Sequence, residues 1–271
     1  VGLLGLDQEA AAFAQLAKKI GLSRLVASRA ELRLAQTHSI YDGLLWAIIG
    51  QQINLPFACL LKRRLIERTG TPLAGGLIAP PAPEAVAALA PGDLLPLQFS
   101  RQKADYVIAT SRLITEGKLD LGALRGMSAT RAERTLLAVR GLGPWSVNYV
   151  MMRALGFADC VPLGDTGVTS GLQAVFKLDE RPDIDATRRL MAVFSPYRSL
   201  ATAHSQQSLP QRPLEPRVPV RAHEHERRRG TGAHAEHRPG EEHLVQRADA
   251  AGCGDERVGA IEQVRETRVQ V

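Results

Sequence analysis

A glycine turn and a carboxylate are the parts of this sequence best suited to chemistry. The turn is Val139-Arg140-Gly141-Leu142-Gly143-Pro144-Trp145-Ser146, with a helical pattern on either side. Two glycines two residues apart permit backbone conformations closed to other residues. They also leave no side chain between the backbone N–H groups and an approaching ligand. Pro144 suits the first turn of the next helix, where no N–H is missed. That helix start offers free donors and a partial positive charge. The combination reads as a phosphate cradle; a plain tight turn between two helices is the simpler alternative. Asp165 stands 22 residues beyond Gly143, in a Pro-x-Gly-Asp-x-Gly setting. Asp fills the N-cap of a helix well. A carboxylate at such a sharp bend can also face a ligand, and both roles can hold together.

Other groupings are less specific. Trp145 and Tyr149 lie four residues apart on one helix, hence on one face. Aromatics make up only 4% of the chain, so two beside the turn stand out, although ordinary core packing explains such a pair equally. Gln51 and Gln52 end an apolar helix, where simple helix termination is the plain reading. Trp46 reads as core. Arg101 and Lys103 begin a helix and either touch phosphates or form a solvated face. Cys59, Cys160 and Cys253 have no short mutual spacing, so neither a zinc site nor a four-cysteine iron–sulfur cluster can be built.

The elements that must position these groups are helices almost throughout. Ser39 opens a helix towards Gln52, with Asp42 placed for a capping box. A second helix runs from about Leu55 to Thr69 and stops at Gly70. Residues 71–83 are rich in Pro and Gly and read as a loop, followed by a short helix near 84–90. Ser100 caps a helix to Glu116. Thr130 and Glu133 make a capping-box signature for a helix over 131–139. Beyond the glycine turn the pattern predicts helices from about Ser146 to Leu155, after Asp165 and after Asp185. Period-two runs are nearly absent, so the body is expected to be all-α.

Composition divides the chain near His204. Residues 1–204 carry 23 Lys and Arg against 17 Asp and Glu, so the whole net charge of +6 sits there and favours an anionic partner. Residues 205–271 contain no Phe, Trp, Tyr or Lys but five of the seven histidines. With so few large apolar groups this segment cannot offset the entropy of ordering. It is expected to be a disordered or frame-shifted tail behind a helical domain over 1–204. No stretch of about 20 apolar residues exists, so no membrane span is expected; the few cysteines suit a reducing compartment, and a cytoplasmic monomer is expected.

At this point the sequence resembles the helix-hairpin-helix DNA glycosylase superfamily, most closely its 3-methyladenine DNA glycosylase II branch. The resemblance rests on "AIIGQQI" at 47–53, "RQKADYVIATSRLI" at 101–114 and "VRGLGPWSVNYVMMRALG" at 139–156. "VPLGDTGV" at 161–168 and "YRSLATAH" at 197–204 complete it in the right order. It implies a protein that binds damaged double-stranded DNA and flips a base out of the stack. Asp165 would be the catalytic acid, stabilising positive charge on the deoxyribose or activating water. Trp145, Tyr149 and Gln51 would line the base pocket, and electron-rich rings suit a cationic alkylated purine. Gln52 would be the wedge filling the gap in the duplex. Arg140, Gly141, Leu142, Gly143 and Pro144 would form the phosphate-binding hairpin. A structural monovalent cation at the carbonyls of Leu137, Val139 and Leu142 is the one cofactor the resemblance allows.

Strand-cutting members carry a Lys beside the hairpin as a Schiff-base nucleophile. Trp145 stands at that position, and no Lys occurs between Lys118 and Lys177. A monofunctional glycosylase is therefore expected. The sequence departs from the pattern in opening directly into helix, without a β-rich N-terminal domain. It also lacks the pocket aromatic expected just after His204, where Ser205-Gln206-Gln207 stand. A non-catalytic hairpin protein, or a glycosylase for oxidised, deaminated or mismatched bases, is the alternative.

Overall fold

The computed structural model describes residues 2–27 and 29–207. The α-helices in chain order are α1 (Ala10–Lys19), α2 (Ser23–Val26), α3 (Ile40–Ile49), α4 (Leu55–Thr69), α5 (Pro83–Ala87), α6 (Pro91–Leu94), α7 (Arg101–Thr115), α8 (Leu121–Arg125), α9 (Ala129–Leu137), α10 (Pro144–Arg153), α11 (Thr166–Phe176), α12 (Ile184–Ala192) and α13 (Arg198–Gln207). Between α4 and α5, in the expected loop, β1 (Thr71–Pro72) pairs antiparallel with β2 (Ile78–Ala79). The all-α class holds.

Local side-chain bonds start most of the long helices. Ser39 accepts the Asp42 N–H at 3.0 Å, Asn54 the Phe57 N–H at 2.9 Å and Ser100 the Lys103 N–H at 3.2 Å. Each satisfies a donor that has no partner within its helix. The Asp42 carboxylate does not complete a capping box. It is buried and accepts the Lys62 ammonium of α4 at 2.6 Å instead.

Three predicted starts shift. Helix α9 begins at Ala129, with Ser128 in extended backbone before it, so Thr130 lies inside the first turn and the Thr130–Glu133 box does not form. This start still turns Ala132 and Leu136 into the core. Helix α10 begins at Pro144 rather than Ser146, as a first-turn proline allows. Helix α12 begins at Ile184, because Asp183 rather than Asp185 accepts from Ala186 N–H at 2.7 Å.

Two apolar cores hold the helices. The larger gathers Leu44 and Ile48 of α3, Leu61 of α4, Ile108 of α7, Leu136 of α9 and Val147 and Val150 of α10. The smaller gathers Phe13 of α1, Val168 and Leu172 of α11, Met191 of α12, Phe194 from the connection after α12, and Leu200 of α13. Burial of each large side chain contributes about 1.5–3 kcal/mol. Cys160 belongs to the first core and Val161 to the second, so the connection from α10 to α11 crosses from one to the other. Asp165 lies at the end of that connection.

Helix α13 does not stop at the compositional break after His204. It runs three residues further, to Gln207. Gly171 of α11 is the reason: a β-carbon there would lie 2.0 Å from the carbonyl oxygen of Ser205. The two backbones meet closely, and Arg29 donates to the carbonyl of Gln207. Backbone packing thus orders a turn whose side chains are polar. The tail expected to be disordered or frame-shifted lies, from residue 208 onward, outside the described residues.

Candidate active site and phosphate-binding hairpin

The hairpin is built by its apolar residues facing inward. Val139 and Leu142 are each 5% exposed, and the Leu142 N–H closes the turn on the Val139 carbonyl at 3.0 Å. Gly141 sits between them at φ 96°, and a β-carbon there would lie 2.4 Å from the Tyr106 ring of α7. Only glycine meets both conditions. Gly143 differs: its backbone is ordinary extended chain, but nothing lies within 4 Å of where a β-carbon would be. Of the two glycines, one supplies the turn and the other supplies open space.

That space is a groove of about 380 Å³ lined by Gln51, Gln102, Tyr106 and residues 141–146. It opens on the N-terminus of α10, whose first-turn N–H groups have no partner within the helix and carry the positive end of its dipole. The Arg140 guanidinium lies 5.9 Å from the Tyr106 ring centroid, held by the attraction of a cation to an aromatic face. The carbonyls of Leu137, Val139 and Leu142 are neutral oxygen donors, of the type that suits a weakly held hard cation. Among the described residues no cluster of His, Cys, Asp and Glu could hold a metal.

Gln51 is tied to this hairpin. Its side-chain amide donates to the Gly141 carbonyl and to Ser146 Oγ, each at 2.8 Å. Buried Ser146 in turn lies 3.4 Å from the Ala47 carbonyl of α3. Gln52 is exposed, with φ 55° in the left-handed region. Sequence reasoning placed Ser146 at the end of the turn but gave it no role, since a serine inside a helix carries no signal of a distant partner. It also misread Lys103. The half-buried Lys103 ammonium turns to the chain itself: it donates to the carbonyls of Ile48 at 3.2 Å, Ile49 at 2.9 Å and Gln51 at 2.6 Å. Burial holds its pKa below the usual lysine value.

Asp165 is the N-cap of α11 and more than that. Oδ1 accepts from Val168 N–H at 3.0 Å and from Gln206 Nε2 at 3.1 Å. Oδ2 accepts the Trp145 indole N–H at 3.1 Å. Trp145 stacks on Tyr149 with centroids 5.5 Å apart and planes 20° apart. Burial raises the Tyr149 pKa to about 12, so its hydroxyl stays protonated at neutral pH. The structure thus brings Asp165, Trp145 and Tyr149 together, and joins Gln51 to the hairpin one turn away. Gln206 occupies the region where the resemblance implied an aromatic. Trp46 packs half-buried against the larger core, with the Lys62 ammonium 5.4 Å from its ring centroid.

Such an arrangement can grip a phosphate through backbone donors and hold an anion beside a flat aromatic surface. Comparison with known proteins fits it. The pattern of the HhH-GPD superfamily base excision DNA repair protein matches residues 45–196, more than half of the chain. The chain belongs to this family. The HhH-GPD match contains the hairpin, Trp145, Tyr149 and Asp165, and ends before Gln206.

Among relatives, YfjP of Bacillus subtilis is 36% identical over 191 residues, covering 70% of this chain and 66% of that protein. The DNA-3-methyladenine glycosylase of Bacillus subtilis is 31% identical over 202 residues, covering 73% and 66%. The chain therefore spans about two-thirds of the length of these relatives. The 3-methyladenine DNA glycosylase structure from Archaeoglobus fulgidus shares the fold, with a TM-score of 0.65 at 22% identity over 76% of this chain and 71% of that one. Among the described residues no helix is long and apolar enough to cross a membrane.

Proposed function

We propose that this chain is a monofunctional DNA glycosylase that releases alkylated purines, of the 3-methyladenine and 7-methylguanine type, from duplex DNA. The observation that carries this reading is the Asp165 carboxylate, fixed by Trp145, Gln206 and its own helix beside a stacked aromatic pair. An acid whose only task is to cap a helix needs no indole donor on its second oxygen.

The chain's residues act in sequence. Backbone N–H groups of Gly143, Trp145 and Ser146 hold a phosphate on the lesion strand. A cation on the carbonyls of Leu137, Val139 and Leu142 would add positive charge there. Gln52 enters the duplex as the lesion nucleotide leaves it. The extruded base packs on the Trp145–Tyr149 surface, whose electron-rich faces favour a cationic ring. The glycosidic C–N bond then breaks, and its electron pair neutralises the alkylated base. The sugar becomes electron-poor, much as in glycoside hydrolysis. Asp165 stabilises that charge and orients water, whose oxygen bonds to C1′ and whose proton passes to the carboxylate or solvent. An alkylated purine leaves readily, so one carboxylate is enough. With Trp145 where strand-cutting members have Lys, no Schiff base forms and the product is an intact abasic strand. The chain acts as a monomer in the cytoplasm.

The test is chromatography of bases released from methylated, uracil-containing and 8-oxoguanine-containing duplexes, with and without later alkali. Release of 3-methyladenine, and strand breaks only after alkali, are expected. Release of uracil or 8-oxoguanine alone would overturn the substrate class. Breaks without alkali would overturn the monofunctional reading.

A further inference from the structure

We propose that Lys103 is a positioning residue for the Gln51–Gln52 loop, acting as a cationic cap on the C-terminal end of α3. It touches no DNA in this role. The inference rests on reading Gln52 as the residue that enters the duplex.

Helix α3 ends just before the loop, and its last carbonyls have no partners within the helix. Most helices meet this need with a left-handed residue or water. Here Gln52 is the left-handed residue, with φ 55°, yet it bears a long side chain at a position where glycine is the natural choice. A contact from outside the loop would offset the cost of that conformation. The Lys103 ammonium reaches across from α7 to Ile48, Ile49 and Gln51 carbonyls at 3.2, 2.9 and 2.6 Å. Three donors on one ammonium match three acceptors. A cation also complements the negative end of the α3 dipole.

The N-terminal half of α7 also supports the hairpin. Tyr106, three residues on, lies under Gly141, accepts the Gln102 amide at 2.9 Å and underlies Arg140. Gln51 links the two loops, since Lys103 binds its backbone carbonyl while its side chain binds Gly141 and Ser146. Lys103 therefore sets the register between the residue that enters the duplex and the turn that holds the phosphate.

The experiment compares the wild type with Lys103→Met in the full chain. The first readout is the fluorescence of 2-aminopurine placed beside a mismatch in duplex DNA, which rises when a base unstacks and needs no chemistry. The second is single-turnover base release from a methylated purine in a paired duplex and in a one-nucleotide bulge, where it is already extruded. Lys103→Met is expected to lose most of the fluorescence rise and about tenfold in release from paired duplex. Release from the bulge should stay within about threefold of wild type. Gln52→Ala should give the same pattern, and the double variant should be no worse than either single one.

Equal losses on both substrates would mark a merely structural lysine and overturn the proposal. A full fluorescence rise in Lys103→Met would do the same, as would no rise in the wild type. A wild-type rise that Lys103→Met loses, with no base release by either protein, would support the positioning role while refuting the glycosylase reading. If Lys103→Met does not fold, Lys103→Arg carries the comparison: it keeps the charge but replaces a compact ammonium with a planar fork.

Discussion

The indole N–H of Trp145 donates to Oδ2 of Asp165 across 3.1 Å, linking α10 to the first residue before α11. The same ring stacks on Tyr149. One side chain therefore holds the second carboxylate oxygen and supplies one ring of the stacked pair. These roles can be separated. Trp145→Phe keeps a ring for stacking and loses the donor. A hydrogen bond to a charged group contributes about 1.5–3 kcal/mol, so a kcat loss of about tenfold or more is expected, with base affinity changed much less. Single-turnover kinetics alongside competition by free 3-methyladenine would measure both. Loss of affinity without loss of kcat would show that the indole N–H is idle.

Gln52 holds a left-handed backbone that costs a non-glycine residue about 1–2 kcal/mol. Gln52→Gly removes that strain, and the greater freedom of glycine when unfolded offsets about half of it. The variant is expected to melt at or slightly above the wild-type temperature while excising poorly from paired duplex. Calorimetry beside duplex kinetics tests this. A large drop in Tm would mean that the Gln52 side chain supports the fold.

Gly141 offers the opposite case. Alanine there meets both a φ of 96° and the Tyr106 ring at 2.4 Å. Overpacking costs about 1–3 kcal/mol, added to the left-handed penalty. Gly141→Ala should lower the denaturant midpoint and weaken DNA binding together. Gly143→Ala, with open space and ordinary backbone, should leave stability nearly unchanged and weaken DNA binding alone. Similar destabilisation by both would contradict the division of labour between the two glycines. For the wild type, affinity should fall steeply with salt if backbone phosphates dominate.

Much of this was legible from residue order alone. The Ser39 and Ser100 caps, the glycine turn between two helices, and Asp165 as N-cap each depend on neighbours a few residues away. Short-range chemistry of that kind is visible in a sequence. The end of α13 was not, because Gly171 admits the Ser205 backbone from a distant helix and composition carries no trace of it. Lys103 was misread for a similar reason: its partners lie more than 50 residues earlier in the chain, and they are carbonyls that every residue has. Gln206 on Asp165 was unreadable too, since nothing in a polar run says which amide turns inward.

His204 is expected to make the fold sensitive to mild acid. It is fully buried, with Nδ1 3.1 Å from the Leu25 carbonyl. Burial first, and the nearby Arg29 charge as well, hold its pKa below 6.5, against an opposing pull from the Leu25 carbonyl. The folded protein therefore keeps it neutral while the unfolded chain takes up a proton. Stability from this group is complete above about pH 6.5 and declines as pH falls towards the lowered folded value. Tm should drop between pH 7 and pH 5, and His204→Asn should flatten that slope even if it lowers Tm overall. An unchanged slope in the variant would assign the acid sensitivity elsewhere.

The most direct test of the catalytic reading is Asp165→Asn. Asparagine caps helices about as well as aspartate, so the Val168 N–H keeps its acceptor and the fold should survive. The measurement is single-turnover release of 3-methyladenine from methylated duplex, set beside affinity for the same duplex. Base release is expected to fall about 100-fold or more, with binding equal to or tighter than wild type because an anion near the phosphates is gone. Base release within about threefold of wild type, at equal binding, would remove Asp165 from the chemistry and leave only a DNA-binding hairpin.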